Sequence, residues 1–396
     1  MKFNEENFNK DFHMPEMKLM NENILMTTPE KNISFKIKAE DSKYMLDRIN
    51  VYVNDVAIYG TDGIDLRDKQ ISTYENNVSL ELSEGKNKIQ VSVLNDKGVE
   101  SLKETVEINC ESPKEKHDLY VVTIGASDYN DSRYKLRYAA KDANDIADLM
   151  LMQKDKYNEV KVTKLLDKDV TKENIKNIKD LLMQSKVDDE VIIFIAGHGL
   201  LTKEFDYYYA TSDIDFTNPQ NRGVTFEEIE NLLNGIPARQ KVLLMDTCHS
   251  GELDKEDLQI IAANEKTQEK GEPVFTRDIP GIKVGRKNEN EGFGLKNVSE
   301  LMQEMFVDLR RGSGAAVISS SGGLEVSYEG GEYKNGFFTY AILEGIKTMN
   351  ADLNKDGVIT VSELRDYVSD KVEKLSKGVQ KPTARKENLE NDFRVW

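Results

Sequence analysis

Ile192-Ile193-Phe194-Ile195-Ala196-Gly197-His198-Gly199 and, fifty positions on, Val242-Leu243-Leu244-Met245-Asp246-Thr247-Cys248-His249-Ser250-Gly251 decide how this chain is read. Each is an apolar run of strand length that ends in a polar, glycine-flanked residue able to do chemistry. A strand that stops at Gly-His-Gly presents an imidazole at the rim of a sheet. A strand that stops at Asp-Thr-Cys-His-Ser-Gly presents a thiol there. A free thiol, with a pKa near ~8.5, is mostly protonated at neutral pH, so it needs a neighbouring base to become a nucleophile. His198 and Cys248, separated by 50 positions, are therefore the expected dyad. His249 is a rival base, but as the direct neighbour of Cys248 its side chain is expected to point elsewhere.

Outward from these segments the pattern is α/β. Leu119-Tyr120-Val121-Val122-Thr123-Ile124-Gly125 reads as a buried strand, and Ala139, Ala143, Ile146, Ala147 and Met150 share one helix face. Thr171 through Met183 is a second helix. Thr225-Phe226-Glu227-Glu228 opens a third with a capping box. Ala315 through Ser320 is another strand, and Gly336 through Thr348 another helix. Strands alternating with helices predict a mainly parallel, doubly wound sheet, whose active groups collect at the carboxyl ends of its strands.

Residues 31–111 read differently. Ile33 to Lys38, Ile49 to Val53, Val78 to Leu82 and Ile89 to Val93 alternate with period two, which predicts a small β-sandwich. Glu84-Gly85-Lys86-Asn87 is taken as the turn joining the last two. The phrase from Leu82 to Ile89, followed by Asn95-Asp96-Lys97-Gly98, resembles the hairpins of bacterial Ig-like modules. Residues 1–30 are polar and without clear period, and are expected to be an arm. Glu111 to Lys116 is a proline-marked linker.

The whole chain sets limits. Its 396 residues suggest two or three domains. The net charge of −17 argues against nucleic acid and against an anionic membrane surface. No apolar stretch approaches ~18 residues, and the first residues lack a signal-peptide pattern, so a cytoplasmic protein is expected. Two cysteines, Cys110 and Cys248, read as free thiols in a reducing compartment.

The ordered motifs resemble the caspase/metacaspase superfamily of cysteine endopeptidases (peptidase family C14), in particular its bacterial members. They are Leu136 to Ala143, Ala196-Gly197-His198-Gly199, Asp246 to Gly251, Ile318-Ser319-Ser320-Ser321 with Asn335 to Thr339, Gln380-Lys381-Pro382 and Glu387 to Glu390. The resemblance covers residues 117–396. It implies the α/β caspase-hemoglobinase-like fold, a mainly parallel six-stranded sheet flanked by helices, here preceded by the all-β sandwich. It also implies peptide hydrolysis through an acyl-enzyme, with Cys248 as nucleophile, His198 as acid and base, and the N–H groups of Gly199 and Cys248 as oxyanion hole. No third catalytic residue is evident from sequence. Asp142 and Asp246, with Ser319, are implied to line the S1 pocket, where two carboxylates favour Arg or Lys at P1 and repel aspartate. Without that role Asp246 would be a turn or cap residue and Asp142 a solvated helix position. Metacaspases tend to carry serine where this chain has Ala196.

Two further stretches carry expectations. Asp352-Leu353-Asn354-Lys355-Asp356-Gly357-Val358-Ile359-Thr360-Val361-Ser362-Glu363 fits an EF-hand loop. Its Ca2+ ligands would be Asp352, Asn354, Asp356, the Val358 carbonyl and Glu363; the alternative is a metal-free turn capping the next helix. The chemistry itself needs no cofactor. The acidic cluster that serves many metacaspases as a calcium site has no counterpart at Phe205-Asp206-Tyr207-Tyr208-Tyr209. The insert 252–310 is long, charged and dotted with Lys and Arg, which makes it a candidate for self-cleavage. The expected activity is a cysteine endopeptidase acting on protein or peptide substrates. The alternatives are a caspase-like scaffold working through its β-sandwich and a cysteine-dependent peptide ligase.

Overall fold

In a computed structural model of the chain, residues 13–21, 26–113, 115–202, 206–250, 274–276, 313–320, 327–383 and 392–396 are described; at 201, 248–250, 274 and 276 the description is of the backbone. The chain divides into two compact units between Glu115 and Lys116.

The first unit is all β: β1 (Glu16–Leu19), β2 (Thr27–Thr28), β3 (Asn32–Glu40), β4 (Leu46–Val53), β5 (Val56–Ala57), β6 (Ile64–Asp65), β7 (Thr73–Glu81), β8 (Gly85–Asn95) and β9 (Glu104–Cys110). They form one sheet in the order β1-β3-β7 and another in the order β2-β9-β8-β4-β5, with β6 on β4. The alternating apolar residues of both meet in one core, Phe35, Ile37 and Val78 from the first with Ile49, Val51, Val91 and Val93 from the second. Two expectations need correction. The arm at 1–30 supplies β1 and β2, because Met17 and Leu19 alternate with Glu16 and Lys18 and Met17 is buried in the core. Glu84 to Asn87 are not the turn of a hairpin: Gly85 to Asn87 already belong to β8, and residues 82–84 are the connection. They carry the chain from one sheet to the other, since β7 pairs with β3 and β8 with β4 and β9. Cys110 is a free, buried thiol of this core.

The second unit runs β10 (Leu119–Gly125), α1 (Ala139–Leu151), β11 (Val160–Leu166), α2 (Lys172–Leu182), β12 (Glu190–Leu201), β13 (Tyr207–Tyr209), β14 (Val224–Thr225), α3 (Phe226–Leu233), β15 (Gln240–Ser250), β16 (Val274–Thr276), β17 (Ala316–Ser319), β18 (Tyr328–Gly330), α4 (Phe337–Lys347) and α5 (Val361–Leu375). The expected helix face of α1 is buried, the side chain of Thr171 caps α2, and Thr225 with Glu228 closes the capping box of α3. Burying side chains such as Ile193, Phe194 and Ile195 on β12 contributes about 1.5–3 kcal/mol each.

The sheet is mixed rather than six-stranded, with seven strands among the described residues. Five are parallel, in the order β11-β10-β12-β15-β17. The other two, β13 and β14, are antiparallel additions. From β10 the chain steps out to β11 and then back across to β12. With right-handed crossovers this reversal puts α1 and α2 on opposite faces and leaves a crevice at the carboxyl ends of β10 and β12.

The two decisive strands are longer than expected. β10 ends at Gly125 opposite Ala196, and β13 then takes the vacated edge of β12 at Gly199 to Leu201. β15 follows β12 along its other edge as far as Leu200 opposite Ser250. With partners on both sides, the glycines do not end the strands. His198 and Cys248 lie inside them, not past their ends. Gly197 has φ +150°, and a Cβ there would come within 3.0 Å of Tyr129 Oη and Tyr209 Cε2.

Candidate active site

The register of β12 and β15 sets Cys248 directly opposite His198. His198 is buried. Its backbone is held at both ends: its N–H donates to Tyr129 Oη at 3.1 Å, and its carbonyl accepts from Ala210 N at 2.9 Å. The imidazole packs against Tyr129, at 5.2 Å between ring centroids, and Phe216, at 6.0 Å, which also touch each other at 5.4 Å. Its Nε2 is 2.8 Å from the carbonyl oxygen of Tyr134. A carbonyl only accepts, so Nε2 carries the proton and Nδ1 of the neutral ring is the basic nitrogen.

That carbonyl is the orienting group that sequence reading lacked. Local structure aims it: Ser132–Tyr134 is a single 3-10 turn, capped by the Asp131 side chain on Arg133 N. The Tyr134 ring stacks on Phe216 at 3.9 Å, which fixes the turn against the wall behind the histidine.

The residue before Cys248 is equally constrained. Thr247 is buried; its hydroxyl accepts from Tyr207 Oη at 3.1 Å and its carbonyl accepts from Ser320 Oγ at 3.2 Å. The tyrosines of β13 therefore support the strand pair from within. Tyr209 Oη donates to the Ala196 carbonyl at 2.9 Å, and complete burial pushes its phenol well above the ordinary tyrosine range, so it remains a donor.

Asp142 and Asp246 are both fully buried, and both reach the first turn of α4. Asp142 accepts from Asn335 Nδ2 at 2.7 Å and from Gly336 N, at 3.3 Å to Oδ1 and 3.1 Å to Oδ2. Asp246 Oδ2 accepts from Thr339 Oγ1 at 2.6 Å. Donors and the positive end of a helix thus gather two carboxylates at one place. The solvated-helix alternative for Asp142 is excluded by its burial, while capping of the helix start is part of what it does. Ser319 is also buried; it faces Met245 in the β15–β17 register, and its backbone pairs with Thr383 through bonds of 3.0 and 3.1 Å.

Residues 119–394 match the model of the caspase domain of peptidase family C14. The chain belongs to the caspase-domain family. No curated protein matches it. Among solved structures, the crystal structure of protein GSU0716 from Geobacter sulfurreducens is 16% identical, covers 70% of this chain and 98% of its own, and superposes with a TM-score of 0.45. The fibronectin(III)-like modules of Clostridium thermocellum CbhA are 19% identical over 27% of this chain and 54% of theirs, with a TM-score of 0.19. Both scores lie below 0.5, and family membership rests on the domain match.

As a caspase-domain protein the chain has the fold of a cysteine peptidase family. The backbone carbonyl of Ala196 accepts from Ala126 N and Tyr209 Oη. The EF-hand-like loop folds on its own backbone. Asp352 accepts from Asp356 N and Gly357 N, Asn354 from Asp356 N, Asp356 from Val358 N, and Glu363 from Asn354 N and Thr360 N. Glu363 with Thr360 also forms the capping box of α5. Among the described residues no group of three or more His, Cys, Asp or Glu is arranged to hold a metal ion. No helix of the described residues is long and apolar enough to cross a membrane. Most of the insert 252–310, residues 321–326, and residues 384–391 with the motif from Glu387 to Glu390, lie outside the described residues.

Proposed function

We propose that the chain is a cysteine endopeptidase that cuts after Arg or Lys using Cys248 and His198. The observation that carries this reading is the pairing of His198 with Cys248 on adjacent parallel strands, with Nε2 of the histidine engaged by the Tyr134 carbonyl. Nδ1 is then the basic nitrogen that takes the thiol proton. The thiolate attacks the scissile carbonyl carbon; the N–H groups of Gly199 and Cys248, which pair within the β12–β15 ladder at the His198–Cys248 bridge, have to leave that ladder to stabilise the oxyanion. His198 returns the proton to the leaving amine as the C–N bond breaks, which leaves a thioester on Cys248. Water, deprotonated by His198, then hydrolyses the thioester.

The basic P1 preference rests on Asp142 and Asp246, two buried carboxylates at the start of α4, with Ser319 opposite Met245, the neighbour of Asp246, in the sheet register. A guanidinium or ammonium brings the opposite charge to this place, whereas an aspartate brings a like charge into it. Arg and Lys residues of the insert 252–310 are the nearest candidate substrates in sequence, so the enzyme processes itself. The loop 352–363 is the candidate calcium site; what supports it is the ligand pattern of Asp352, Asn354, Asp356 and Glu363 in the sequence, while in the structure these groups accept from the loop's own backbone.

The reading is tested with peptides that differ at P1 alone. Cleavage after Arg and Lys, lost in Cys248→Ala, is expected. Preference for P1 Asp, or turnover surviving Cys248→Ala, overturns it. Ligated rather than hydrolysed products, identified by mass, would assign a ligase. No reaction with any peptide would leave the scaffold alternative.

A further inference from the structure

The residues that hold His198 also line a cavity. It lies between the turn 130–134 and the loop 213–222, is open to solvent, and has a volume of about 610 Å3, within the range that takes a small molecule. Tyr134 and Phe216 are part of its wall. The same two residues act on the imidazole: the Tyr134 carbonyl accepts from Nε2, the Phe216 ring packs against the histidine ring, and the two aromatic rings stack at 3.9 Å. Neither His198 nor Asp142 nor Asp246 lines the cavity.

The charged groups of the cavity are three carboxylates, Asp131, Asp213 and Asp215, and two guanidiniums, Arg133 and Arg222. Arg133 shows what such a wall can hold. Its guanidinium lies over the Tyr134 ring, 5.4 Å from the centroid, and its Nε donates to Asp131 at 2.9 Å to Oδ1 and 3.1 Å to Oδ2. A cation on an aromatic ring, paired with a carboxylate, is thus already built from the chain's own residues. Asp215 is a further carboxylate beside the same stack. Its Oδ1 accepts from Thr217 Oγ1 at 2.6 Å and from Thr217 N at 2.9 Å, bonds that hold its carboxyl below the ordinary range and keep it charged at neutral pH. Arg222 is held through Nη1, which donates to the Asp213 carbonyl at 2.9 Å and stands 3.7 Å from Oδ2 of the same residue. Nη1 is one of several guanidinium donors, and the Arg222 side chain is 56% exposed, so it can take an anion as well.

We propose that this cavity binds arginine bearing a free carboxylate, and that the bound molecule tightens the hold on His198. The ligand guanidinium pairs with Asp215 beside the aromatic stack, and the ligand carboxylate pairs with Arg222. One carboxylate and one guanidinium of the cavity are thereby matched by opposite charges of a single molecule. An occupant packed on Tyr134 and Phe216 restrains the turn whose carbonyl fixes the imidazole, so the arrangement that presents Nδ1 to the thiol is the more populated one. Two sources supply this chemistry, free arginine and a peptide newly ended in arginine. The second is the product of a cut after Arg, and in that alone the proposal rests on the peptidase reading.

The test uses the full chain carrying Cys248→Ala, with radiolabelled L-arginine in equilibrium dialysis. Saturable binding at millimolar concentration or below is expected. Asp215→Asn and Arg222→Gln, both at exposed positions, should each weaken it about tenfold, the loss of one charged hydrogen-bonded pair. Agmatine, which has the guanidinium without the carboxylate, should compete about tenfold less well than arginine. Binding that survives both variants, or agmatine competing as well as arginine, would belong to the carboxylates Asp142 and Asp246 and overturns the cavity, as does no binding at all. A Gly-Gly-Arg competitor stronger than arginine names the cut peptide as the source, and a weaker one names the free amino acid. With Cys248 intact, arginine should raise the rate of its alkylation by iodoacetamide severalfold, and should not do so in His198→Ala; an unchanged rate overturns the link to His198. Iodoacetamide has no P1 residue, so if the chain cleaves no peptide the peptidase reading fails, and dialysis and alkylation still decide the cavity.

Discussion

Asp142→Asn separates what the buried carboxylate does for the fold from what it does for a substrate. Both of its oxygens accept hydrogen bonds, from Asn335 Nδ2 and from Gly336 N, in a fully buried setting. Asparagine keeps one acceptor and turns an NH2 group towards one of these donors. A buried donor left without an acceptor costs about 1–3 kcal/mol. Loss of the negative charge at the start of α4 costs about 0.3–1 kcal/mol more, or somewhat beyond that in a buried setting. The sum is about 1.3–4 kcal/mol, which for a unit of this size lowers the melting temperature by roughly 2–7 °C. Asp145 is the control: it accepts from the same Asn335 amide at 2.9 Å but is partly exposed, so Asp145→Asn should cost less than about 1 kcal/mol. Thermal unfolding of the two variants and the parent chain, side by side, reads the difference. Folded Asp142→Asn should also discriminate less between Arg and an uncharged residue at P1. A melting temperature within a degree of the parent chain would refute the view that Asp142 anchors α4.

Burial and the neighbouring positive charges of Lys179 and Arg239 push Lys241 down to about 7, and among the described residues its Nζ donates to the Leu233 carbonyl alone, at 3.3 Å. Between about pH 7 and the ordinary lysine range the unfolded chain holds a proton that the folded chain has released, so this residue makes stability rise with pH; below about 7 both states are charged and the full penalty stands. Lys241→Met should therefore stabilise by about 2–4 kcal/mol at pH 6 and by little at pH 10, measured by urea unfolding; destabilisation at pH 6 would contradict this. Millimolar calcium should raise the melting temperature, since a ligand of the folded state stabilises it, and Glu363→Gln should abolish the rise; no rise in the parent chain would make the loop a metal-free turn.

The sequence displayed what depends on side-chain pattern. Unbroken apolar runs announced β10, β12 and β15, and the polar residues behind them singled out His198 and Cys248, which the strand register sets opposite each other. It hid what depends on backbone. The Tyr134 carbonyl that orients His198 has no residue signature, because every residue carries a carbonyl. The continuation of β12 and β15 through Gly-His-Gly and Cys-His-Ser was illegible because pairing with each other and with β13, not apolar pattern, sustains it. β11, Val160–Leu166, escaped notice because its residues are half-buried along its whole length and Lys161 and Lys164 break the apolar run. β16 is three residues in a charged insert; Val-Phe-Thr, two β-branched residues around an aromatic, was the available signal. The gathering of Asp142 and Asp246 came from family resemblance, and the shared helix start that holds them is visible only in three dimensions.

The central claim is that Cys248 is a nucleophile activated by His198. Incubation of the intact chain with an arginyl peptidyl electrophile, followed by mapping of the adduct by mass spectrometry, tests it directly. The account predicts one adduct, on Cys248, with Cys110 unmodified in the core of the first unit and the reaction largely lost in His198→Ala. Modification of Cys110 in preference to Cys248, or labelling of Cys248 at an unchanged rate in His198→Ala, would contradict it.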